Sequence, residues 1–324
     1  MKAILVEQLG KFEHLQPKEV PDPAPKSEQQ VVVRIEAAGV NFADISSTMG
    51  KYPGIKIPYI AGREFAGTLE GSDERVMGYT QMGAFAEKIA VPRAFIWPQP
   101  DGWTSIQSAA FPVNFFTAYL VFWKAGLTRD AFEPAAPSKS PRRALIHAVA
   151  GGVGTAAVQV ARMLGIETIG TSSTDEKLEQ AKQLGLTHGI NYMREDYEKR
   201  VLELTKGEGV DCVFEMLGGE NTRRSTRCTR EFGRVILYGT ATGERPEFDT
   251  MTMYAKGVSV HGLWLSTLAA NREVMALAWQ ALEPWVKSGD LKPEVGHVMP
   301  LAKASEAFLL MLNRKNYGKI ILTI

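Results

Sequence analysis

A glycine-containing turn at residues 151–154 separates a strand-like segment from a helix-like segment. The preceding run Ala144–Ala150 is short and apolar, which is typical of a parallel strand covered on both faces. The following run Gly154–Leu164 holds mostly small or apolar residues and no helix breaker. Glycines in such a turn let backbone N–H groups approach a ligand, and the positive end of the helix dipole favours an anion there.

The match to the dinucleotide-binding pattern G-x-G-x-x-G is partial. Gly151 and Gly154 occupy the second and third glycine positions, but Val149 occupies the first. A turn that serves only for packing is therefore an alternative interpretation, and the residues that follow the turn decide between the two.

Strand-like and helix-like segments alternate from residue 144 onward. Strands are predicted at 144–150, 167–171, 188–191, 210–216, 233–239 and 256–265, and the helices between them at 154–164, 175–184, 196–205 and 221–230. Short connections in this alternation predict right-handed crossovers and a doubly wound parallel sheet of six strands, an α/β fold. At the head of such a sheet the turn is predicted to bind a diphosphate.

The two ends of the chain differ from this central part. Short strand candidates separated by Pro and Gly occur at 2–7, 30–37, 64–70, 75–78 and 84–91, and the C-terminal part ends in a strand at 319–324. They predict a β-rich, barrel-like domain. The proline-containing linker at 134–141 suggests no function.

Composition excludes several classes of protein. The chain has 324 residues with 45% hydrophobic and 23% charged residues, as expected of a globular protein with room for two domains. A net charge of +1 argues against a nucleic-acid partner. Two cysteines cannot form a disulfide framework or a four-cysteine zinc site. No apolar run reaches membrane-spanning length, so we expect a cytoplasmic protein with no membrane partner.

The end of the second strand of the sheet indicates which cofactor binds. An NAD-binding unit has an acidic residue there for the ribose diol, but this strand ends in Thr171-Ser172-Ser173. Asp175 and Glu176 follow and are interpreted as partners of the next helix N-terminus. Hydroxyl groups with Lys177 one turn further on suit a 2′-phosphate, which predicts NADPH; a solvated helix lysine is the alternative.

Four motifs resemble the medium-chain dehydrogenase/reductase superfamily and, within it, the zinc-independent quinone oxidoreductase (zeta-crystallin-like) branch. They are Gly39-Val40-Asn41-Phe42-Ala43-Asp44, Ala61-Gly62-Arg63-Glu64-Phe65-Ala66-Gly67, Ala150-Gly151-Gly152-Val153-Gly154-Thr155-Ala156 and Gly318-Lys319-Ile320-Ile321-Leu322. The resemblance spans essentially the whole chain. It implies a GroES-like catalytic domain (1–116 and 266–324) and a Rossmann NADPH-binding domain (117–265).

The resemblance also implies that no metal is bound. Zinc alcohol dehydrogenases of the superfamily have a cysteine where Asn41 stands and a histidine where Arg63 stands. Glu64 remains, but a single carboxylate is not a zinc site.

The resemblance further implies the residues that bind the cofactor. The nicotinamide end would contact Phe42 and Thr117, and the backbone of Leu263, Trp264 and Leu265. The diphosphate would lie on Ala150, Gly151, Gly152, Val153 and Gly154, and the midsection beside Tyr238, Gly239 and Thr240. The adenosine end would contact Ser172, Lys177 and Tyr192 at its 2′-phosphate, and Leu217 and Gly218 near its ribose.

Direct hydride transfer from NADPH to a quinone is the function most consistent with these residues, because a conjugated acceptor needs no Lewis acid. By resemblance, Asn41 and Tyr52 lie in the substrate loop, where Tyr52 would donate a proton or hydrogen bond. Packing of Tyr52 over the cleft and a turn-forming role for Asn41 are the alternatives.

Two other functions remain open at this point, a reductase of conjugated enones or enoyl thioesters and a non-catalytic NADPH-binding protein. The resemblance also suggests a homodimer that pairs along the edge strand near 257–262.

Overall fold

The structure is a computed structural model that describes residues 1–13, 15–137 and 141–324. These residues form two compact units. The first comprises Met1–Asn114 with Lys292–Ile324, and the second comprises Phe115–Leu291. Part of the predicted linker, residues 138–140, lies outside the described residues.

Strands and helices are numbered in chain order within the described residues. The strands are β1 (Lys2–Val6), β2 (Pro17–Glu19), β3 (Gln30–Val40), β4 (Tyr59–Ile60), β5 (Glu64–Leu69), β6 (Arg75–Tyr79), β7 (Lys88–Pro92), β8 (Ile96–Pro98), β9 (Arg143–Ile146), β10 (Glu167–Ser172), β11 (His188–Asn191), β12 (Val210–Glu215), β13 (Thr229–Leu237), β14 (Ser259–Gly262), β15 (Val295–Pro300) and β16 (Lys319–Thr323). The α-helices are α1 (Phe42–Thr48), α2 (Ser105–Ala109), α3 (Pro112–Lys124), α4 (Gly152–Met163), α5 (Asp175–Gln183), α6 (Tyr197–Leu204), α7 (Glu220–Cys228), α8 (Thr250–Lys256), α9 (Leu265–Ala269), α10 (Arg272–Lys287) and α11 (Ala304–Leu312).

The second unit is built on one six-stranded sheet in the order β11-β10-β9-β12-β13-β14, in which every neighbouring pair is parallel. Every residue of β12 is buried, as expected of a central strand covered on both faces. Leu145, Ile169 and Val213 lie in its core. The predicted doubly wound parallel sheet of six strands is therefore confirmed.

The first unit contains a seven-stranded sheet and a three-stranded sheet. The longest strand, β3, pairs antiparallel with β5, β7 and the C-terminal strand β16. This pairing places Ile320 beside Val40, so the two ends of the chain meet in one sheet. Phe308 of α11 anchors the core, with its ring 5.9 Å from that of Phe12 and 6.5 Å from that of Phe85.

The predicted domain boundary at 265/266 needs correction. Residues 266–291 belong to the second unit rather than to the β-rich one. The reason is packing: the ring of Trp279 in α10 lies 6.4 Å from that of Phe116, and Arg162 donates a hydrogen bond to the carbonyl of Asp290 at 2.6 Å. The helical pattern of α10 does not reveal which unit it packs against.

Local features also differ from the predictions. Strand β9 ends at Ile146 instead of Ala150, because the chain turns at Ala148, whose φ is +50°. Helix α4 begins at Gly152, two residues before the predicted start. Strand β15 was not predicted, because its sequence Val-Gly-His-Val-Met-Pro has a low content of strand-forming residues.

Candidate functional site

The parallel sheet brings most of the predicted cofactor-binding residues to one edge. Since the six strands run in the same direction, their carboxyl ends meet there, where open α/β sheets bind ligands. The predicted residues follow these ends: 150–154 after β9, Ser172 at the end of β10, Tyr192 after β11, Leu217 and Gly218 after β12, Tyr238, Gly239 and Thr240 after β13, and Leu263, Trp264 and Leu265 after β14. Lys177 lies in the first turn of α5, and Thr117 is buried in α3. Phe42 begins α1 of the first unit.

The glycine turn has the geometry of an anion-binding helix N-terminus. Gly151 is the N-cap of α4, with no side-chain hydrogen bond to the cap, so the first-turn N–H groups are not capped by a side chain. A Cβ on Gly154 would lie 2.5 Å from the carbonyl oxygens of Ala148 and Val149. Only glycine fits there, and the backbone of the turn is held close against the helix. The residues therefore fit a diphosphate.

Val149, where the dinucleotide pattern has a glycine, plays a structural part. Its side chain is fully buried and its N–H donates to the carbonyl of Thr171 at 3.0 Å. A Cβ on Gly170 would lie 2.7 Å from the Val149 Cγ2 atom. The valine thus fills space that Gly170 in the neighbouring strand leaves open.

A buried chain of hydrogen bonds shapes the loop after β12. Glu215 Oε1 accepts from the N–H groups of Leu217 at 2.7 Å and Gly218 at 3.1 Å. Its Oε2 accepts from Ser225 Oγ at 2.5 Å. Because the Ser225 hydroxyl proton is used in that bond, Ser225 Oγ accepts from His147 Nε2 at 3.0 Å. Burial lowers the pKa of His147 and so favours its neutral ring, whose Nδ1 accepts from Thr171 Oγ1 at 3.1 Å. His147 therefore has a structural role in this network.

Ser172 and Tyr192 lie on adjacent strand ends, because the N–H of Tyr192 donates to the carbonyl of Ser172 at 3.1 Å. The N-cap of α5 is Thr174, whose hydroxyl accepts from the N–H of Lys177 at 3.3 Å. Desolvation lowers the pKa of the Lys177 ammonium, which marks it as partly enclosed. Ser172, Tyr192 and Lys177 thus lie at the ends of β10 and β11 and the start of α5, where the 2′-phosphate is predicted.

Asp175 does more than the helix-end role predicted for it. Its Oδ1 accepts from Asn191 Nδ2 at 2.6 Å, and its Oδ2 forms an ion pair with Arg194. The carboxylate is thereby neutralised beside the predicted 2′-phosphate position. Arg194 is a residue that the sequence reasoning missed, although its place two residues after Tyr192 was a usable signal.

A cavity of about 310 Å³ lies at the β13 and β14 ends of the same edge. It is lined by residues that include Leu237, Leu263 and Trp264. Leu263 is buried, whereas 44% of Trp264 is exposed. Of the three residues predicted to border the cofactor here, Leu263 and Trp264 line the cavity and Leu265 is not among its lining residues.

In the first unit, Asn41 is buried with its whole amide group engaged. Its Nδ2 donates to Glu64 Oε1 at 2.9 Å and to the carbonyl of Gly39 at 3.2 Å. Its Oδ1 accepts from Lys319 Nζ at 2.6 Å. Both amide protons are used within the protein, so this arrangement gives Asn41 an organising role in the loop rather than a donor for substrate.

The ammonium group of Lys319 lies among three oxygen-bearing side chains. It forms an ion pair with Glu64 Oε1 and lies 3.4 Å from Asn114 Oδ1, besides its bond to Asn41. Glu64 Oε2 accepts from the N–H of Val113 near the start of α3. Lys319 is 2% exposed and Glu64 fully buried. The Gly-Lys-Ile motif contained this lysine, but sequence reasoning gave it no role.

Arg63 connects helix α1 to Tyr52. Its Nη1 donates to Asp44 Oδ1 at 3.3 Å and its Nη2 to Ser47 Oγ at 2.8 Å. The guanidinium carbon lies 4.3 Å from the centre of the Tyr52 ring. Burial raises the pKa of Asp44 to about 6, against the opposing effects of Arg63 and Lys319.

Comparison with known proteins places these two units in one family. Residues 152–282 match the zinc-binding dehydrogenase family, and residues 27–81 match the alcohol dehydrogenase GroES-like domain. A quinone oxidoreductase-like protein 2 homolog from Nematostella vectensis is 31% identical over 90% of this chain and 81% of its own length. The synaptic vesicle membrane protein VAT-1 homolog from Mus musculus is 32% identical over 95% of this chain and 79% of its own length.

A solved structure covers the whole chain. The quinone oxidoreductase from Thermus thermophilus, also solved in complex with NADPH, is 32% identical, with a TM-score of 0.87 over 100% of both chains. The chain belongs to the quinone oxidoreductase branch of the medium-chain dehydrogenase/reductase superfamily. The predicted family, the GroES-like plus Rossmann fold class and the oxidoreductase class are confirmed.

The zinc-binding dehydrogenase family is named for a zinc ion, but the residues of this chain do not fit one. Arg63 and Lys319 bring two cationic groups to the region where the superfamily's zinc alcohol dehydrogenases have ligands, and Lys319 already pairs with Glu64. Across residues 1–13, 15–137 and 141–324, no group of three or more His, Cys, Asp or Glu side chains is placed to hold a metal ion.

Among the helices of the described residues, none has the length and apolar character needed to cross a membrane.

Asp44 predicts how stability depends on pH. Its pKa rises from an ordinary value of 3.8 to about 6 on folding, so between these values the folded state binds more protons than the unfolded state. Stability from this group is full below pH 3.8 and is lost as the pH rises through 6. A rise of this size corresponds to roughly 3 kcal/mol. Urea denaturation should therefore show wild type losing free energy of unfolding relative to Asp44→Asn between pH 4 and 7.

The exposed Asp101→Asn variant is the matched control for replacing an aspartate by asparagine. A wild-type minus Asp44→Asn difference that stays constant from pH 4 to 7 would contradict the assignment.

Proposed function

We propose that this chain transfers a hydride from NADPH directly to a quinone without a metal ion. The observation that carries the proposal is the ion pair between Lys319 and Glu64 beside Asn41, which fills the polar cluster of the first unit with a cationic side chain. Since no metal ion polarises the acceptor in this proposal, the acceptor itself must delocalise the negative charge that comes with the hydride. Quinones do this by conjugation.

NADPH supplies the hydride, and the residues of the second unit suit it. The glycine turn offers uncapped helix N–H groups to a diphosphate. At the end of β10 a hydroxyl group, Ser172, stands where an NAD-binding unit has an acidic residue. The cationic residues Lys177 and Arg194 lie near that strand end. The NADPH complex of the Thermus thermophilus relative supports the same cofactor.

Tyr52 is proposed to donate a proton or hydrogen bond to the acceptor oxygen as negative charge develops there. Its ring is only partly buried, and Arg63 holds it from one face. Asn41 is proposed to organise the turn between β3 and α1, since its amide protons bond the carbonyl of Gly39 and Glu64 Oε1.

We also propose that two copies pair along β14, the edge strand of the second unit's sheet. Its residues are exposed or half-buried, and an exposed edge strand is a template for pairing. The expected cytoplasmic location remains a prediction.

The proposal predicts NADPH oxidation by purified protein with a quinone, faster than with an enone or an enoyl thioester. Tyr52→Phe should lower kcat by about 10² to 10⁴ with little change in KM, since a positioned acid contributes about that much. Stopped-flow absorbance of NADPH measures both constants. Turnover only with enones or enoyl thioesters would replace the quinone. NADPH binding without turnover of any acceptor would favour a binding protein.

Lys177→Ala should weaken NADPH binding by roughly 10- to 100-fold, because a charge-assisted contact contributes about 1.5–3 kcal/mol. NADH binding should change by less than about two-fold, since NADH lacks the 2′-phosphate. Cofactor fluorescence titration measures both dissociation constants. Lys182→Ala, on the same helix and paired with Glu179, is the matched control. Equal weakening of both cofactors by Lys177→Ala would contradict the assignment.

A further inference from the structure

Arg63 is a buried cation whose contacts fix its guanidinium plane. The residue is 4% exposed. Ser47 Oγ donates to the carbonyl of Ala43 at 2.8 Å and so accepts from Arg63 Nη2, while Asp44 Oδ2 accepts from the N–H of Asn41 at 2.8 Å. The acceptors of Arg63 are thus themselves held in place by α1 and its cap.

The segment that carries Tyr52 folds back on the end of α1. The N–H groups of Lys51 and Tyr52 both donate to the carbonyl of Ser46, at 2.8 and 3.2 Å. Gly50, with φ +72°, makes the reversal, since this conformation favours glycine. The backbone near Tyr52 is therefore anchored, and the orientation of its ring depends on side-chain contacts.

The face of the guanidinium group provides such a contact. It lies 4.3 Å from the Tyr52 ring centre, within the range of a cation–π interaction. Arg63 Nε is buried with no hydrogen-bond partner in the part of the chain that the structure describes. An unsatisfied buried donor is unfavourable, so the ion pair with Asp44, the hydrogen bond to Ser47 and the ring contact must offset its cost.

We propose that Arg63 is a positioning residue that orients the Tyr52 phenol for its reaction with the acceptor. This inference rests on the proposed function. It gives Arg63 a role at the position where zinc alcohol dehydrogenases have a histidine. Lysine cannot substitute, because a compact ammonium lacks the planar face that stacks on the ring and the fork that meets Asp44 and Ser47 together.

A double-mutant cycle tests the proposal. Arg63→Lys should lower kcat about 10-fold in the protein with Tyr52, the size of a buried cation–π contact, with quinone KM and NADPH affinity unchanged. In the Tyr52→Phe background the same substitution should lower kcat no further. A milder variant, Ser47→Ala, removes one anchor of the guanidinium and should show a smaller fall with the same dependence on Tyr52. Equal falls in both backgrounds would overturn the proposal.

Arg224→Lys is the matched control, because Arg224 stacks on Tyr197 at 4.1 Å in the second unit. It should leave kcat unchanged. A fall in kcat as large as that of Arg63→Lys would show a general effect of lost arginine stacking and would overturn the proposal.

A second measurement does not depend on turnover. In ¹³C-labelled tyrosine spectra, the Tyr52 ring signals are those that vanish in Tyr52→Phe. Arg63→Lys should move them toward free tyrosine, whereas Arg224→Lys should move only the Tyr197 signals. Unmoved Tyr52 signals in Arg63→Lys would overturn the positioning role. If Tyr52→Phe keeps full kcat, the donor role in the proposed function fails, and these spectra still decide whether Arg63 orients the ring.

Discussion

The buried ion pair between Lys319 and Glu64 is the contact on which the polar cluster of the first unit depends. It joins the C-terminal strand to β5, and through Glu64 Oε2 it reaches the N–H of Val113 near the start of α3. Asn41 is oriented by both partners. Removing one partner of such a pair leaves an uncompensated buried charge, at a cost of about 3–5 kcal/mol. The geometry of the loop after β3 therefore depends on the last strand of the chain.

A second pair, Arg63 with Asp44, completes the charge balance of this cluster. Two cationic side chains compensate two carboxylates, so the cluster has no excess negative charge to attract a metal ion. In the second unit a loop is fixed by directed hydrogen bonds that run from Thr171 through His147 and Ser225 to Glu215. Both devices preorganise backbone and side chains before any ligand binds, which is the main protein contribution in cofactor-dependent chemistry.

Local and periodic features of the fold were predictable from sequence. Alternating strands and helices from residue 144 gave the parallel sheet, because each element buries its own apolar residues. Contacts between distant residues were not predictable. Lys319 meets Asn41 across 278 positions, and α10 packs against Phe116 in a way that its own sequence does not reveal. Arg194 was missed because its ion pair with Asp175 forms only when β10 and β11 lie side by side.

In the proposed function, side-chain cations rather than a metal ion accompany hydride transfer. The most direct measurement is quinone-dependent NADPH oxidation by protein that has been dialysed against a chelator. Zinc content and kcat are measured in the same sample, first after dialysis and then after zinc is added. The account predicts full kcat at far less than one zinc per chain and no gain when zinc is added. Activity that rises in proportion to bound zinc would contradict it.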